Sequence, residues 1–475
     1  MHSPGFLRHN RPDRRRGTVV VAGVAVVAFL FAACGSGSTA KTGSATTTTS
    51  NGKPPGGGST TPAVKTLGVG VTATSIKVGV SLLDYACVEA FTNSLRFGQP
   101  AIYQTFIDYV NQQGGIAGRK IVPVYKLFCP IGTATVLAAC TSLTEDSQVF
   151  AVMGTFYDPS GDGQTCVAGQ HHRVLLTFDL TQAIMNKSPA GLIVNAGSNP
   201  ERLVRVLLEL LARRGTLQGR TVGVLGDTAG AATVNGTILP GLKKLGVTVR
   251  ATGLLTITGS DTTAAQSQLD SFIERWKTEH VDTIFLSGYP ASSIQFVTKL
   301  RKELPNLLLL SDNGQVLGEA QQLKRSGVTP NPYEGLITAG GQTQNEYATS
   351  ANWTYCKTIY KKETGKDAPG ANDRIPYKDS KTQTLDTYGA INDACQLVSM
   401  FHDIAARVGP YLNNTNWVNT VSTYGPITNR GSGPYSSLHA GKYDAEDNWR
   451  LEQFDSSLPP DGQFRPITPL QDIAG

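Results

Sequence analysis

From residue 76 onward, short β-rich runs alternate with helical patterns, and no other feature restricts the fold of this chain as much. The first series is IKVGVSLL (76–83), KIVPVYKL (120–127), VFAVMGTF (149–156), RVLLTFDL (173–180) and LIVNAG (192–197). The second is RTVGVLGD (220–227), VTVRATGLLTI (247–257), DTIFLSGY (282–289), NLLLLSD (306–312) and GLITAGG (335–341). Helical spacing fills most gaps. Pro100–Gln113 sets Ile102, Phe106, Tyr109 and Val110 on one face and stops at Gly114-Gly115. Glu201–Arg214 is leucine-rich, and Thr263–Glu279 aligns Leu269, Phe272, Ile273 and Trp276. Continuous apolar strands separated by helices indicate parallel sheets covered on both faces, an α/β class. A single core rarely grows beyond about 250–300 residues, so 475 residues in two series predict two doubly wound lobes. A TIM barrel is the competing topology; ten candidate strands and a break near 195–200 speak against it. After 341 come two helical stretches, Ala351–Thr364 and Asp386–Val408, and a closing strand pair over Tyr435–Phe454 around an Asp-rich turn.

The N-terminus reads as an address. Arginines at 8, 11, 14, 15 and 16 precede TVVVAGVAVVAFLFAA, sixteen uncharged residues over 18–33. A basic start followed by a short apolar run is a secretory signal, and no run reaches the 18 or more apolar residues of an ordinary spanning helix. Ala32-Ala33-Cys34-Gly35 resembles the lipobox of bacterial lipoproteins, with Phe31 in the place where that pattern prefers Leu. The resemblance implies cleavage before Cys34 and lipidation of its thiol; a plain signal peptide is the alternative. Two or more acyl chains hold a protein stably on a bilayer. Residues 35–66 are Gly, Ser, Thr, Pro and Ala with three lysines, one Asn and one Val, a composition that packs no core. As a tether of 32 residues it has an r.m.s. reach of roughly 30 Å.

The formal charge of +6 belongs mostly to that address. Removing five of 42 basic and one of 36 acidic residues leaves 37 against 35, which takes away the electrostatic case for a nucleic-acid partner. Beyond Cys34 the chain has six cysteines, Cys87, Cys129, Cys140, Cys166, Cys356 and Cys395. An even number in an exported chain suggests disulfides, with fifteen connectivities open. None has zinc-site spacing, and His171-His172 point apart as neighbours on a chain, so no metal is expected. No G-x-S-x-G, H-E-x-x-H or P-loop occurs. GVGVTA (68–73) copies half a dinucleotide fingerprint but precedes the first strand, where no helix N-terminus would receive a phosphate. No cofactor and no catalytic residue is therefore expected.

NQQGGIAGRKI (111–121) resembles the signature after the first helix of type I solute-binding proteins of ABC importers, closest to the leucine/isoleucine/valine-binding branch. The order of FCPIGTATVLAACTSLTEDSQVFAVMG, FLSGYPASSIQFVTKLRK, NPYEGLITAGG and TLDTYGAINDACQLV is similar too, so the resemblance spans about 74–455. It implies two α/β lobes joined by three crossovers, with 74–197 and 342–428 in lobe one and 198–341 and 429–475 in lobe two, after a signal peptide (1–33) and a lipidated linker (34–73). It implies a monomer that traps a small organic solute, an amino acid or a related compound, and hands it to an ABC permease from the outer face of the cytoplasmic membrane. A ligand-sensing surface receptor and, more remotely, a cleft hydrolase are the alternatives. In this fold the first two strands are neighbours, which implies Cys87–Cys129. Consecutive helices of lobe one imply Cys140–Cys166, and the two C-terminal helices imply Cys356–Cys395.

In open α/β sheets ligands bind beyond the carboxyl ends of the strands. Those ends carry Asp84 and Tyr85, then Thr155, Phe156, Tyr157 and Asp158, then Asp179 and Thr181. On the second series they carry Asp227 and Thr228, then Tyr289, then Asp312 and Asn313. Hydroxyls and helix N-terminal amides suit a carboxylate; carboxylates and tyrosines suit an ammonium group. An Asp after a strand can equally be the N-cap of the next helix. Asn313 stands near the place where the branched-chain branch has Glu, which leaves polyols, amides, urea-like compounds and aromatic acids open. The anchor is directly testable: Cys34→Ser is expected to release the protein from membranes with its fold intact, and partition with salt-washed membranes would refute lipidation.

Overall fold

The computed structural model describes residues 63–474 except 93, 157–159, 179, 258–262, 315, 372, 374, 381–382 and 428–432. Cys34 and the signal segment, and the expected site residues Tyr157, Asp158 and Asp179, lie outside the described residues.

The first sheet is built around β1 (Ser75–Leu83), whose Ile76, Val78, Val80 and Leu82 are buried. It pairs in parallel with β2 (Lys120–Phe128) and β3 (Ala151–Gly154); β4 (Val174–Thr177) and β5 (Ile193–Asn195) follow, in the order β2-β1-β3-β4-β5. The second holds β6 (Thr221–Asp227), β7 (Thr248–Leu255), β8 (Thr283–Leu286), β9 (Leu308–Ser311) and β10 (Ile337–Gly340), parallel in the order β10-β9-β8-β6-β7. All ten strands read from the sequence are present, because runs such as TIFL are buried at every position and satisfy their backbone groups only within a sheet. The second sheet is not purely parallel. β11 (Asn448–Asp455) adds antiparallel to β10, and β12 (Gln463–Pro466) antiparallel to β11.

Helices cover both sheets. α1 (Gln99–Gln112) follows Gly98, has Pro100 in its first turn, and buries Ile102 and Phe106. α2 (Pro200–Arg213) is capped by Asn199, whose Oδ1 accepts from Arg202 N–H at 2.8 Å. α3 (Thr263–Thr278) buries Leu269, Ile273 and Trp276. α4 (Ala351–Thr364) and α5 (Thr387–Val408) return to the first lobe, where Trp353, Ile391 and Phe401 join the core of the first sheet. Three disulfides, Cys87–Cys129, Cys140–Cys166 and Cys356–Cys395, all lie in this lobe. They are the three pairs implied in the sequence reading. Each contributes about 2–4 kcal/mol by restricting the unfolded chain.

The C-terminal strand pair differs from expectation. Isolated bridges Ser436–Glu446 and His439–Lys442 form a small hairpin, while β11 leaves for the other sheet. Leu438 and Ala445 pack into the first core, so the chain crosses back near 446–448 and not at 428, and residues 433–445 belong with lobe one. The Asp-rich stretch is no solvated turn: Asp444 and Asp447 are 2% and 1% exposed.

Those two carboxylates explain the crossing. The Arg202 guanidinium on α2 reaches Asp444 at 3.3 Å and also binds Asp447. It donates to the Glu446 and Ile473 carbonyls as well. Lys442 Nζ lies 2.9 Å from Asp447 and donates to the Ser437 and Asp444 carbonyls. Asn199 N–H donates to Asp444 at 3.1 Å. Two buried cations and two buried anions thus cancel where the first and third crossovers meet. Arg202→Met is expected to lower unfolding stability by about 3–5 kcal/mol, the cost of leaving buried charge uncompensated; a denaturant melt within 1 kcal/mol of wild type would contradict this role.

Candidate functional site

All three crossovers meet around a cavity of about 350 Å³. The first contributes Ala196 and Gly197, the second Gly341 and Gln342, the third Glu446 and Asn448. The first lobe adds Phe178, Tyr347 and a face of α5 with Asn392, Asp393 and Gln396.

The α5 face is set by its N-terminus. Asp386 caps the helix, accepting from Gly389 N–H at 2.8 Å. Asp393 lies two turns on, on the same side. Arg96 joins them, Nε to Asp386 at 2.8 Å and an Nη to Asp393 at 2.5 Å. Burial raises the Asp393 carboxyl above the usual carboxylate range, while Arg96 pulls it down. Burial also raises the Tyr85 hydroxyl, against the field of the same arginine. Tyr347 donates to Asn392 Oδ1 at 2.5 Å, and Gln396 donates to the Ala196 carbonyl at 3.3 Å. Tyr347, Trp353 and Tyr388 form a triangle of rings, with Tyr388 4.4 Å from Trp353 and Tyr347 6.4 Å from Trp353.

The third crossover contributes a different chemistry. Asn448 is 3% exposed; its Nδ2 donates to Glu446 Oε1 at 3.1 Å, and its Oδ1 has no partner. Two glycines allow this packing. A Cβ on Gly433 would lie 2.1 Å from Asn448 Oδ1, and one on Gly341 2.4 Å from its Nδ2.

The residues expected from strand ends lie elsewhere. Asp84 and Thr181 are helix N-caps, accepting from Ala86 N–H at 3.0 Å and Ile184 N–H at 3.2 Å. Asp227 accepts from Gly230 N–H at 2.6 Å. Phe156 is a core residue, 3% exposed and stacked on Phe128 at 5.7 Å; its side chain points into lobe one, which corrects its reading as a ligand contact. Thr155 N–H donates to the Ser81 carbonyl and Thr228 N–H to the Leu255 carbonyl, continuing the strand pairing. Tyr289 is 48% exposed and donates to Glu319 at 2.9 Å, so it is no plug in the lobe-two core. Asp312 is buried, accepts from Ser287 Oγ at 2.9 Å and Gly288 N–H at 2.8 Å, and is pushed up to about 6 by desolvation. Asn313 Nδ2 donates to Ser292 Oγ at 3.1 Å. None of these lines the crossover cavity; Tyr85 feels the charges of Arg96, Asp386 and Asp393. The cavity residues Asn392, Asp393, Glu446 and Asn448, and the supporting Arg96, escaped the sequence reading. One signal was available: Asp386 and Asp393, seven apart in TLDTYGAINDACQLV, share a helix face.

The chain matches the family model of periplasmic binding proteins over residues 98–372. No curated protein sequence matches it. Among solved structures it is similar to a solute-binding protein of an ABC transporter from Rhodopseudomonas palustris BisB5, in complex with 3,4-dihydroxybenzoic acid. That pair shares 14% identity over 84% of this chain and 97% of the other, with a TM-score of 0.56. It is similar to a fatty acid ABC transporter substrate-binding protein from Thermomonospora curvata, with 17% identity over 86% and 95% and a TM-score of 0.56. The leucine-, isoleucine-, valine-, threonine- and alanine-binding protein of Brucella ovis, in a closed conformation, gives 12% identity over 84% and 96% and a TM-score of 0.59. Identities this low show a common fold, two α/β lobes on three crossovers, and the family model extends over more than half of the sequence: the chain belongs to the periplasmic binding protein family, in its type I architecture.

Proposed function

We propose that this protein is an extracytoplasmic solute-binding protein that captures a small organic solute, an amino acid or a related compound, between its lobes and delivers it to an ABC permease. The observation that carries the reading is the cavity at the crossovers, because a site lined by all three connections changes shape when the lobes move. A solute there favours the closed state by its differential affinity for it. In the same reading Cys34 carries the lipid anchor and the tether lets the body stand off the outer face of the cytoplasmic membrane. Asp84, Tyr85, Thr155 and Thr181 on one rim, and Thr228, Tyr289 and Asn313 on the other, complete the enclosure on closure. Asp227 and Asp312 hold the second rim in shape through the turns they accept from.

The direct test is mass spectrometry of small molecules released when the purified protein is denatured. Recovery of a stoichiometric solute is expected; an empty protein that binds no compound from an amino-acid and aromatic-acid panel would refute capture. Tyr289→Ala is expected to weaken binding of the recovered solute by about 1–3 kcal/mol, with the melting temperature of the empty protein nearly unchanged because the side chain is half exposed. Unchanged affinity in calorimetry would remove Tyr289 from the rim.

Asp312 predicts a pH dependence. Its carboxyl sits at about 6 in the fold and near 4 in an unfolded chain, so between those values the folded state binds the extra proton. Stability therefore falls as pH rises from about 4 to 6, by on the order of 1–3 kcal/mol. Asp312→Asn should flatten that part of the curve in thermal melts, and a variant that keeps the wild-type slope would assign it to another group.

A further inference from the structure

We propose that the end of lobe one where the chain enters the body is a membrane-docking face. There Arg173 takes the phosphate of an anionic phospholipid, and Val64, Leu67 and Val69 enter the headgroup layer beside it. Of the reading above the inference uses only the anchor at Cys34; it adds a second contact with the bilayer, made by the folded body.

A second cavity, of about 300 Å³, lies at the strand starts of the first sheet. It is lined by Phe150 and Arg173, which directly precede β3 and β4, by the entering segment, and by Asn413, Asn414 and Thr415. Among its described lining residues Arg173 carries the only charge. No carboxylate among the described residues pairs with it: its hydrogen bond is a 3.5 Å contact with the Thr144 carbonyl, and burial lowers the guanidinium with no acid opposing. Of the acids in the helical turn before β3, Glu145 faces His171 at 3.3 Å and Asp146 is exposed; the exposed Lys65 and Lys77 offset them. The charge of Arg173 is thus left over, and its planar fork of donors matches a phosphate.

The entering segment is clamped with its apolar side chains outward. Asn413 Nδ2 donates to the Thr66 carbonyl at 2.8 Å and the Val64 carbonyl at 3.2 Å. Asn416 Oδ1 accepts from Val64 N–H at 2.9 Å, and Gly68 N–H donates to the Leu412 carbonyl at 2.8 Å. On this fixed backbone Val64, Leu67 and Val69 are 37%, 40% and 47% exposed. Exposed apolar side chains beside a cation suit the boundary between headgroups and acyl chains. The course of the chain makes the occupant a bilayer. Cys34 precedes Val64 by 30 positions, a reach of roughly 30 Å, so an anchored body keeps this face near lipid. Arg173 precedes β4 and Phe178 follows it, so the face lies at the other end of that strand from the crossover cavity, which docking leaves open.

The test uses the chain from Gly35, which lacks the signal segment and Cys34 and holds every described residue. It is floated with vesicles of phosphatidylcholine alone and with vesicles containing phosphatidylglycerol, and titrated calorimetrically with inorganic phosphate. Association with the phosphatidylglycerol vesicles that falls as salt is raised is expected. Arg173→Gln and Leu67→Ser should each weaken it about fivefold, with melts checking that both fold; Leu67 is exposed, so its variant carries the test if Arg173→Gln does not fold. No association with anionic vesicles, or phosphate binding without it, overturns docking. Association that neither variant weakens overturns the placement, and equal association with phosphatidylcholine overturns the anionic headgroup. Because this chain has no Cys34, failure here leaves the anchor standing; failure of the anchor is read separately, from Cys34→Ser.

Discussion

The architecture depends on one buried charge network, in which Arg202 and Lys442 hold Asp444 and Asp447. Arg202 belongs to the first helix of the second lobe; Lys442 and Asp444 lie in the hairpin that packs on the first, and Asp447 directly follows it. Neither element could bury its charges alone, since an isolated ion in a protein interior costs several kcal/mol. Together they are neutral, and Lys442 Nζ and the two Arg202 Nη groups also donate to backbone carbonyls. The network therefore fixes where the first and third crossovers run side by side. Burial lowers the Lys442 ammonium below its ordinary value, against the pull of both carboxylates.

The second crossover is tied to the third by a related device. Glu346, in the capping box that Thr343 opens, pairs with Arg450 on β11. Hydrogen bonding from Arg450 holds its carboxyl down to about 2. All three connections are thus cross-linked by charge, and the cavity opens between the links. The same geometry brings Glu446 and Asn448, adjacent to the structural acids, onto the cavity wall. Disulfides stiffen only the first lobe, so the α5 face that presents Asn392 and Asp393 stands on the more constrained of the two bodies, with Cys395 on the same helix.

The sequence alone determined the repeated elements. Ten strands and the covering helices were legible because apolar continuity and helical spacing are local properties, and strand order follows from short right-handed connections. Family-like order then implied the three cysteine pairs. Asp84, Thr181 and Asp227 were visible as strand-end polar residues, but whether such a residue caps a helix or faces a ligand depends on which N–H lies within 3 Å. Phe156 could be read either as rim or as core for the same reason.

Tertiary structure alone decided the cavity. Asp393, Asn448 and Arg96 are 55 and nearly 300 residues apart in the chain, and their meeting depends on where the chain crosses between lobes. That crossing is set by compensation of buried charge, a sum over groups from distant segments that leaves no periodicity in any one of them. The Asp-rich stretch at 444–447 shows the limit most clearly: its composition is that of a solvated turn, and only the arrival of Arg202 from another lobe makes it an interior.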